Sequence, residues 1–162
     1  MRLAAAALAA LALAAPAAAA PPRSGVLVPG KSLAGVALGA PVNAVLRAWG
    51  RSFGICRGCR RPTWYFNFDP FQPQGAGVEF RDARVAAVFT LWSPPGWRTS
   101  SGVTIGDPVA EVTAVFGPLD RTDCSGYYAL VLPQGRVVTS IYVLDDAVWG
   151  FGLSLPGIPP CR

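Results

Sequence analysis

The chain has 162 residues, with 14 Lys or Arg against 9 Asp or Glu, a formal charge of +5 and no histidine. The missing histidine excludes Ser-His and Cys-His nucleophile pairs, histidine metal sites and histidine acid–base catalysis in one step. Lys31 is the only lysine, and Ala, Gly and Pro are abundant, so the number of arginines reflects composition and identifies no function.

Met1-Arg2, the apolar run Leu3 to Ala15, the break at Pro16 and the small residues Ala17 to Ala20 predict a secretory signal peptide over residues 1–20. The competing reading is a membrane anchor, but Ala is weakly apolar and Pro16 with Pro21-Pro22 ends the run. The expected cut follows Ala18, Ala19 or Ala20 and, by removing Arg2, lowers the formal charge from +5 to +4. No cysteine closes this segment to accept a lipid, and no later apolar stretch is long enough to cross a membrane. The expected location is outside the cell or in its envelope or periplasm, with no membrane anchor after cleavage. About 140 residues then remain, which suits a compact monomer burying about two-thirds of its unfolded surface.

Residues 21–30 read as a Pro-rich linker. Then Gly35-Val36-Ala37-Leu38-Gly39-Ala40-Pro41-Val42 recurs as Gly102-Val103-Thr104-Ile105-Gly106-Asp107-Pro108-Val109, an offset of 102 − 35 = 67 residues that holds to Gly50 and Gly117. Pro41 and Pro108 suit a helix start, Asp107 is an expected cap for the second helix, and Gly50 and Gly117 suit helix ends. Between them Val42, Val45, Leu46 and Trp49, matched by Val109, Val112, Thr113 and Phe116, fall at helical spacing. Such short helices need a sheet to bury their stripe.

Strands are predicted over Thr63 to Phe68, Gly77 to Phe80 and Arg84 to Trp92, then Gly126 to Leu132, Arg136 to Leu144 and Ala147 to Leu155. The expected fold is therefore α+β: two tandem repeats, each a helix plus a three-stranded antiparallel meander, with the helices on one face of the sheet or sheets. Repeat unit 1 covers residues 31–97 and unit 2 covers 98–162, joined by Ser93-Pro94-Pro95-Gly96.

The pattern Gly-hydrophobic-x-hydrophobic-Gly-x-Pro-Val, a short helix, an aromatic-Gly ending and a meander resembles the β-lactamase-inhibitor-protein superfamily. That group is related in unit fold to the SmpA/OmlA-type lipoproteins of outer-membrane assembly. The resemblance runs from Ser32 to about Leu155. It implies a secreted, disulfide-bearing tandem-repeat protein whose sheet forms a concave protein-binding face. No contact residue of the known inhibitors transfers to a position of this chain, and the absent lipid-acceptor cysteine departs from the lipoprotein branch.

Four cysteines in an exported chain favour two disulfides with three possible pairings. Cys56 and Cys124 occupy equivalent places in the two units, which favours pairing within each unit, Cys56–Cys59 and Cys124–Cys161. The rival is disulfide exchange at Cys56-Arg57-Gly58-Cys59, where nearby arginines favour a thiolate. That motif precedes strands instead of opening a helix, and the residue after it is Arg60, which excludes c-type haem attachment. A four-cysteine zinc site is disfavoured by the wide second spacing, so no metal and no cofactor are expected.

Arg47, Arg51, Arg57, Arg60 and Arg61 form a basic stretch with no acid among them. It suits an anionic polymer or acidic surface, and equally a solvated helix end. Aromatic residues on outward strand positions are typical interface anchors. Tyr65, Trp92, Tyr128 and Trp149 are the expected outward members, with Tyr127 and Trp64 facing the other way. Glu79, Asp82, Asp145 and Asp146 read as turn residues, and no catalytic residue is assigned. The functional expectation is a non-enzymatic binding protein whose partner is a protein or an anionic envelope polymer, with nucleic acid excluded. Disulfide exchange and a structural envelope role are the alternatives.

Overall fold

The computed structural model describes residues 22–66, 75–91 and 96–162, so the segment read as a signal peptide and most of the Pro-rich join lie outside it. Helix α1 covers Val42–Trp49 and α2 covers Val109–Phe116. Each is preceded by its proline in extended conformation, at ψ 158° and 154°, and each ends at a glycine with φ of 81° or 74°. Asp107 does not cap α2. Pro108 holds the cap position, and the Asp107 carboxylate turns back to accept from the Thr104 amide at 2.7 Å and hydroxyl at 2.9 Å.

The remaining elements are strands. In chain order they are β1 Gly25–Val28, β2 Ser32–Leu33, β3 Val36–Ala37, β4 Gly54–Cys56, β5 Thr63–Phe66, β6 Gly75–Arg81, β7 Arg84–Leu91 and β8 Trp97–Thr99. After α2 come β9 Asp120–Asp123, β10 Tyr128–Gln134, β11 Val137–Leu144 and β12 Ala147–Ser154. Eight strands form one antiparallel sheet in the order β4-β5-β6-β7-β12-β11-β10-β9, and the other four form a sheet in the order β3-β2-β1-β8.

This architecture overturns the expected α+β fold of two helix-plus-three-stranded repeats. The described chain is mostly β, and its eight-stranded sheet is continuous across β7 and β12, with Gly150 opposite Leu91 and Ser154 opposite Ala87. The short strands β4 and β9 extend both edges. Residues 25–28, read as part of a linker, are β1, which pairs in parallel with β8 at the boundary of the two expected units. Strands of two to four residues carry too little alternation to show a period, and their pairing is set by distant partners.

The two sheets and both helices enclose one core. Trp49, Val45 and Val112 from the helices meet Leu27, Leu33, Val36 and Trp97 of the small sheet. On the large sheet Phe66, Val78, Val88, Ile141, Phe151 and Leu153 face them. Trp49 also donates its indole N–H to the Ala34 carbonyl at 3.0 Å, which ties α1 to the small sheet. Phe53 stacks on Trp64 with centroids 3.9 Å apart, closing the core beside the β4 edge.

Two hairpins use two-residue turns with both residues at positive φ, Asp82-Ala83 at 52° and 57° and Asp145-Asp146 at 49° and 65°. This geometry matches the twist of the flanking strands and favours Asp-Gly or Asn-Gly. Ala83 carries a Cβ penalty there, so Ala83→Gly is expected to stabilise by about 0.5–1 kcal/mol after the added freedom of the unfolded chain is subtracted. A thermal melt should show a midpoint a few degrees higher; an unchanged or lower midpoint contradicts the turn geometry.

Candidate functional site

Alternation along the strands sends every second side chain to the face away from the helices. Because Phe66, Val88, Ile141 and Leu130 belong to the main core, Tyr65, Phe89, Tyr142 and Ala129 point the other way. The backbone register lines up Tyr65, Gly77, Phe89, Gly152, Ser140 and Val131 across six strands. Glycine at two of these places makes room for rings. A Cβ at Gly77 would collide with the Phe89 ring, and one at Gly152 with the Tyr142 hydroxyl.

The result is a second apolar cluster on this face. Phe89, Leu91, Ala129 and Tyr142 are buried, with Tyr65, Tyr127 and Trp149 packed half-buried around them. Tyr65 meets Phe89 edge-on at 6.0 Å, Tyr127 meets Tyr142 at 5.8 Å, and Tyr127 tilts against Trp149 at 5.1 Å.

Residues after β12 fold back over part of this face. Ile158 is buried against Ala86 and Ala87, and Cys161 is bonded to Cys124. The Arg162 amide donates to the Tyr127 hydroxyl at 2.6 Å, and that hydroxyl lies 2.8 Å from the Arg162 carbonyl to which it donates. The Arg162 guanidinium is 5.4 Å from the Phe89 ring centroid and 3.6 Å from Glu79, with its side chain only 4% exposed. Arg61 approaches the other oxygen of Glu79 at 3.4 Å. Between the Cys56–Cys59 and Cys124–Cys161 bridges these groups line a cleft of about 210 Å³, with Arg60, Tyr65 and Phe89 in its wall.

Four expected aromatic anchors separate in the structure. Tyr65 and Trp149 lie together on the face away from the helices. Tyr128 lies on the opposite face with Leu130, its ring under the Arg121 guanidinium at 3.8 Å and its hydroxyl 3.4 Å from Asp146. Trp92 lies outside the described residues. Tyr127 takes the place expected of Tyr128, because the core residue Leu130 is two positions from Tyr128 and three from Tyr127. Counting back from Leu130 yields that phase from sequence.

The basic stretch is also divided. Arg47, Arg51, Arg57 and Arg60 are exposed, whereas Arg61 is half-buried and paired with Glu79. Glu79, read as a turn residue, sits inside β6, where its alternation with Val78 and Phe80 is the sequence mark of its face. Arg162 had no comparable mark. Cys56 closes β4 and no helix opens there, so the helix terminus that usually lowers a reactive thiol's pKa is missing.

Burial raises the pKa of every tyrosine, with Tyr142 pushed up to about 12. Glu79 adds to the rise at Tyr65, and Asp146 to that at Tyr128. A phenol whose folded pKa is raised contributes stability that is complete below its ordinary value of about 10 and is lost as pH climbs through the folded value. An ultraviolet titration should therefore run late and end near pH 12, with the melting midpoint falling across the same alkaline range. Full ionisation near pH 10 without unfolding contradicts a buried Tyr142.

These features define a mostly β protein bridged by two disulfides, with aromatic and ionic side chains gathered on one sheet face. Paired disulfides of this kind belong to oxidising compartments. No family model matches the chain. No curated protein matches it in sequence. Solved structures do resemble it. A DUF4309 family protein from Bacillus subtilis superposes with a TM-score of 0.53 at 14% identity, over 72% of this chain and 78% of that one. An extracellular protein containing a SCP domain from Bacillus anthracis superposes with a TM-score of 0.52 at 11% identity, over 74% of this chain and 44% of that one. This chain thus spans less than half of the Bacillus anthracis structure, and at such identities the likeness is one of fold alone. Among the described residues no helix is long and apolar enough to cross a membrane, and no three His, Cys, Asp or Glu side chains gather as a metal site.

Proposed function

We propose that the chain is an exported, non-enzymatic protein that binds another protein through the sheet face opposite its helices. The observation that carries this reading is the gathering of half-buried Tyr65, Tyr127 and Trp149 around buried Phe89 and Tyr142. Aromatic side chains supply much of the binding energy of protein interfaces, because they bury large area at a small entropy cost. Here they stand on a continuous antiparallel sheet, so little ordering remains to be done on binding. The two disulfides support an oxidising location.

The test is capture from envelope and culture fluid with the oxidised mature protein as bait. Tyr65→Ala and Trp149→Ala baits are run separately, and Tyr128→Ala serves as a control on the opposite face. The expected result is one protein retained by the native and Tyr128→Ala baits and weakened about tenfold or more by each of the other two, as for interface anchors. Equal retention by all four baits, or loss with Tyr128→Ala alone, sinks the sheet-face reading. Retention of a polysaccharide or teichoic-type polymer without protein points to the envelope-polymer alternative.

A further inference from the structure

The cleft between the two disulfides has a charge imbalance that the sheet-face reading does not use. Its wall carries the side chains of three arginines, Arg60, Arg61 and Arg162, and of one acid, Glu79. Glu79 is 13% exposed and lies at 3.4 Å and 3.6 Å from Arg61 and Arg162, so its charge is shared between them. Arg60 has no acidic partner among the described residues. Arg162, 4% exposed, has a buried Nε–H without a hydrogen-bond partner among those residues. A buried donor left unmade is costly. An anion seated beside the exposed Arg60 and the half-buried Arg61 gains two guanidinium partners, the first of them without an acid of its own among the described residues.

We propose that this cleft is a carboxylate-binding site that takes an acidic side chain of the protein partner. The proposal deepens the sheet-face reading and rests on it for the nature of the ligand. Guanidinium groups present planar pairs of N–H donors that match the two oxygens of a carboxylate. Tyr65 stands in the same wall and brings a hydroxyl donor, while Phe89 forms an apolar side that accommodates the methylenes of a glutamate. A volume of about 210 Å³ accommodates one such side chain.

The probes are an end-blocked tetraglutamate peptide, the matching tetraglutamine peptide and inorganic phosphate, titrated into the oxidised protein by calorimetry at low salt. The native chain is expected to bind tetraglutamate weakly and saturably at one site, and tetraglutamine not at all. Arg60→Gln with Arg61→Gln should weaken tetraglutamate about tenfold or more, since each lost contact involves two charged groups. Arg47→Gln with Arg51→Gln removes the same charge from the exposed helix end and should leave the affinity within about twofold when both pairs are compared at about 0.15 M salt, where long-range attraction is screened. Near-ultraviolet circular dichroism confirms that each variant is folded.

Equal weakening by both double variants, equal binding of tetraglutamine, or tighter binding of phosphate than of tetraglutamate overturns the site. Absence of any tetraglutamate binding overturns it too. The outcome is separable from that of the sheet-face test. Loss of partner capture by Trp149→Ala without tetraglutamate binding removes the cleft proposal alone. Tetraglutamate binding with capture indifferent to Trp149 removes the sheet-face reading and leaves the cleft.

Discussion

Gly150→Ala is expected to cost about 3 kcal/mol or more and to lower the melting midpoint by roughly 10 °C. Gly150 lies on β12 opposite Leu91 of β7, at the one seam that joins the two halves of the large sheet. A Cβ there would collide with the backbone carbonyl of Thr90 and crowd the Tyr142 ring at 3.1 Å. A flexible side chain yields cheaply to such contact, but a strand backbone yields only by breaking its ladder. Every interstrand bond between β7 and β12 is then at stake, as is the packing of Tyr142 on the outer face. Gly54→Ala is the matched control. It sits on the edge strand β4 with nothing within 4 Å of its added Cβ, and should change stability by no more than about 0.5 kcal/mol. Equal melting midpoints for the two variants would show that β7 and β12 are not paired as described.

Removing the Cys124–Cys161 bridge by a double serine substitution should cost about 4 kcal/mol by chain entropy, because the bridge closes 37 residues. Removing Cys56–Cys59, which closes 3, should cost under about 2 kcal/mol. The first change has a further consequence. Without Cys161 held in place, the contacts of Arg162 with Tyr127 and Glu79 lose their anchor, and the part of the aromatic face beneath the tail opens to solvent. Enhanced binding of a hydrophobic dye at a temperature where the variant is still folded is the expected readout. The Cys56 and Cys59 variant should show no such enhancement, since that bridge holds no part of the tail. Urea unfolding with the two double variants equally destabilised would argue that the long loop is already ordered in the denatured chain.

The parts legible in the sequence are those whose physics is local. The helices lie between a proline and a glycine, because an N–H-free residue suits the start and a residue tolerant of positive φ suits the end. Strands β5, β6, β7, β10, β11 and β12 lie where alternation and turn residues mark them. The α+β reading failed because it counted only those strands. β1, β2, β3, β4, β8 and β9 are two to four residues long, and none has a pattern that distinguishes it from a loop. Tyr128 was placed on the wrong face for a smaller reason. Alternation only sets Tyr127 and Tyr128 on opposite faces, and the buried Leu130 two residues on is the reference that decides which is which.

The sequence by itself therefore determined the helix ends, the long hairpins, the lack of histidine chemistry and a cysteine set suited to two bridges. Each follows from a residue's own conformational limits or from a short repeat of polarity. Only the tertiary structure decided that one sheet runs through the β7–β12 seam, that β1 pairs with β8, and that Arg162 returns to Glu79 and Phe89. Those contacts join residues far apart in the chain. What selects them is the burial of whole faces and the neutralisation of charge across the assembled sheet, which no local window of sequence contains.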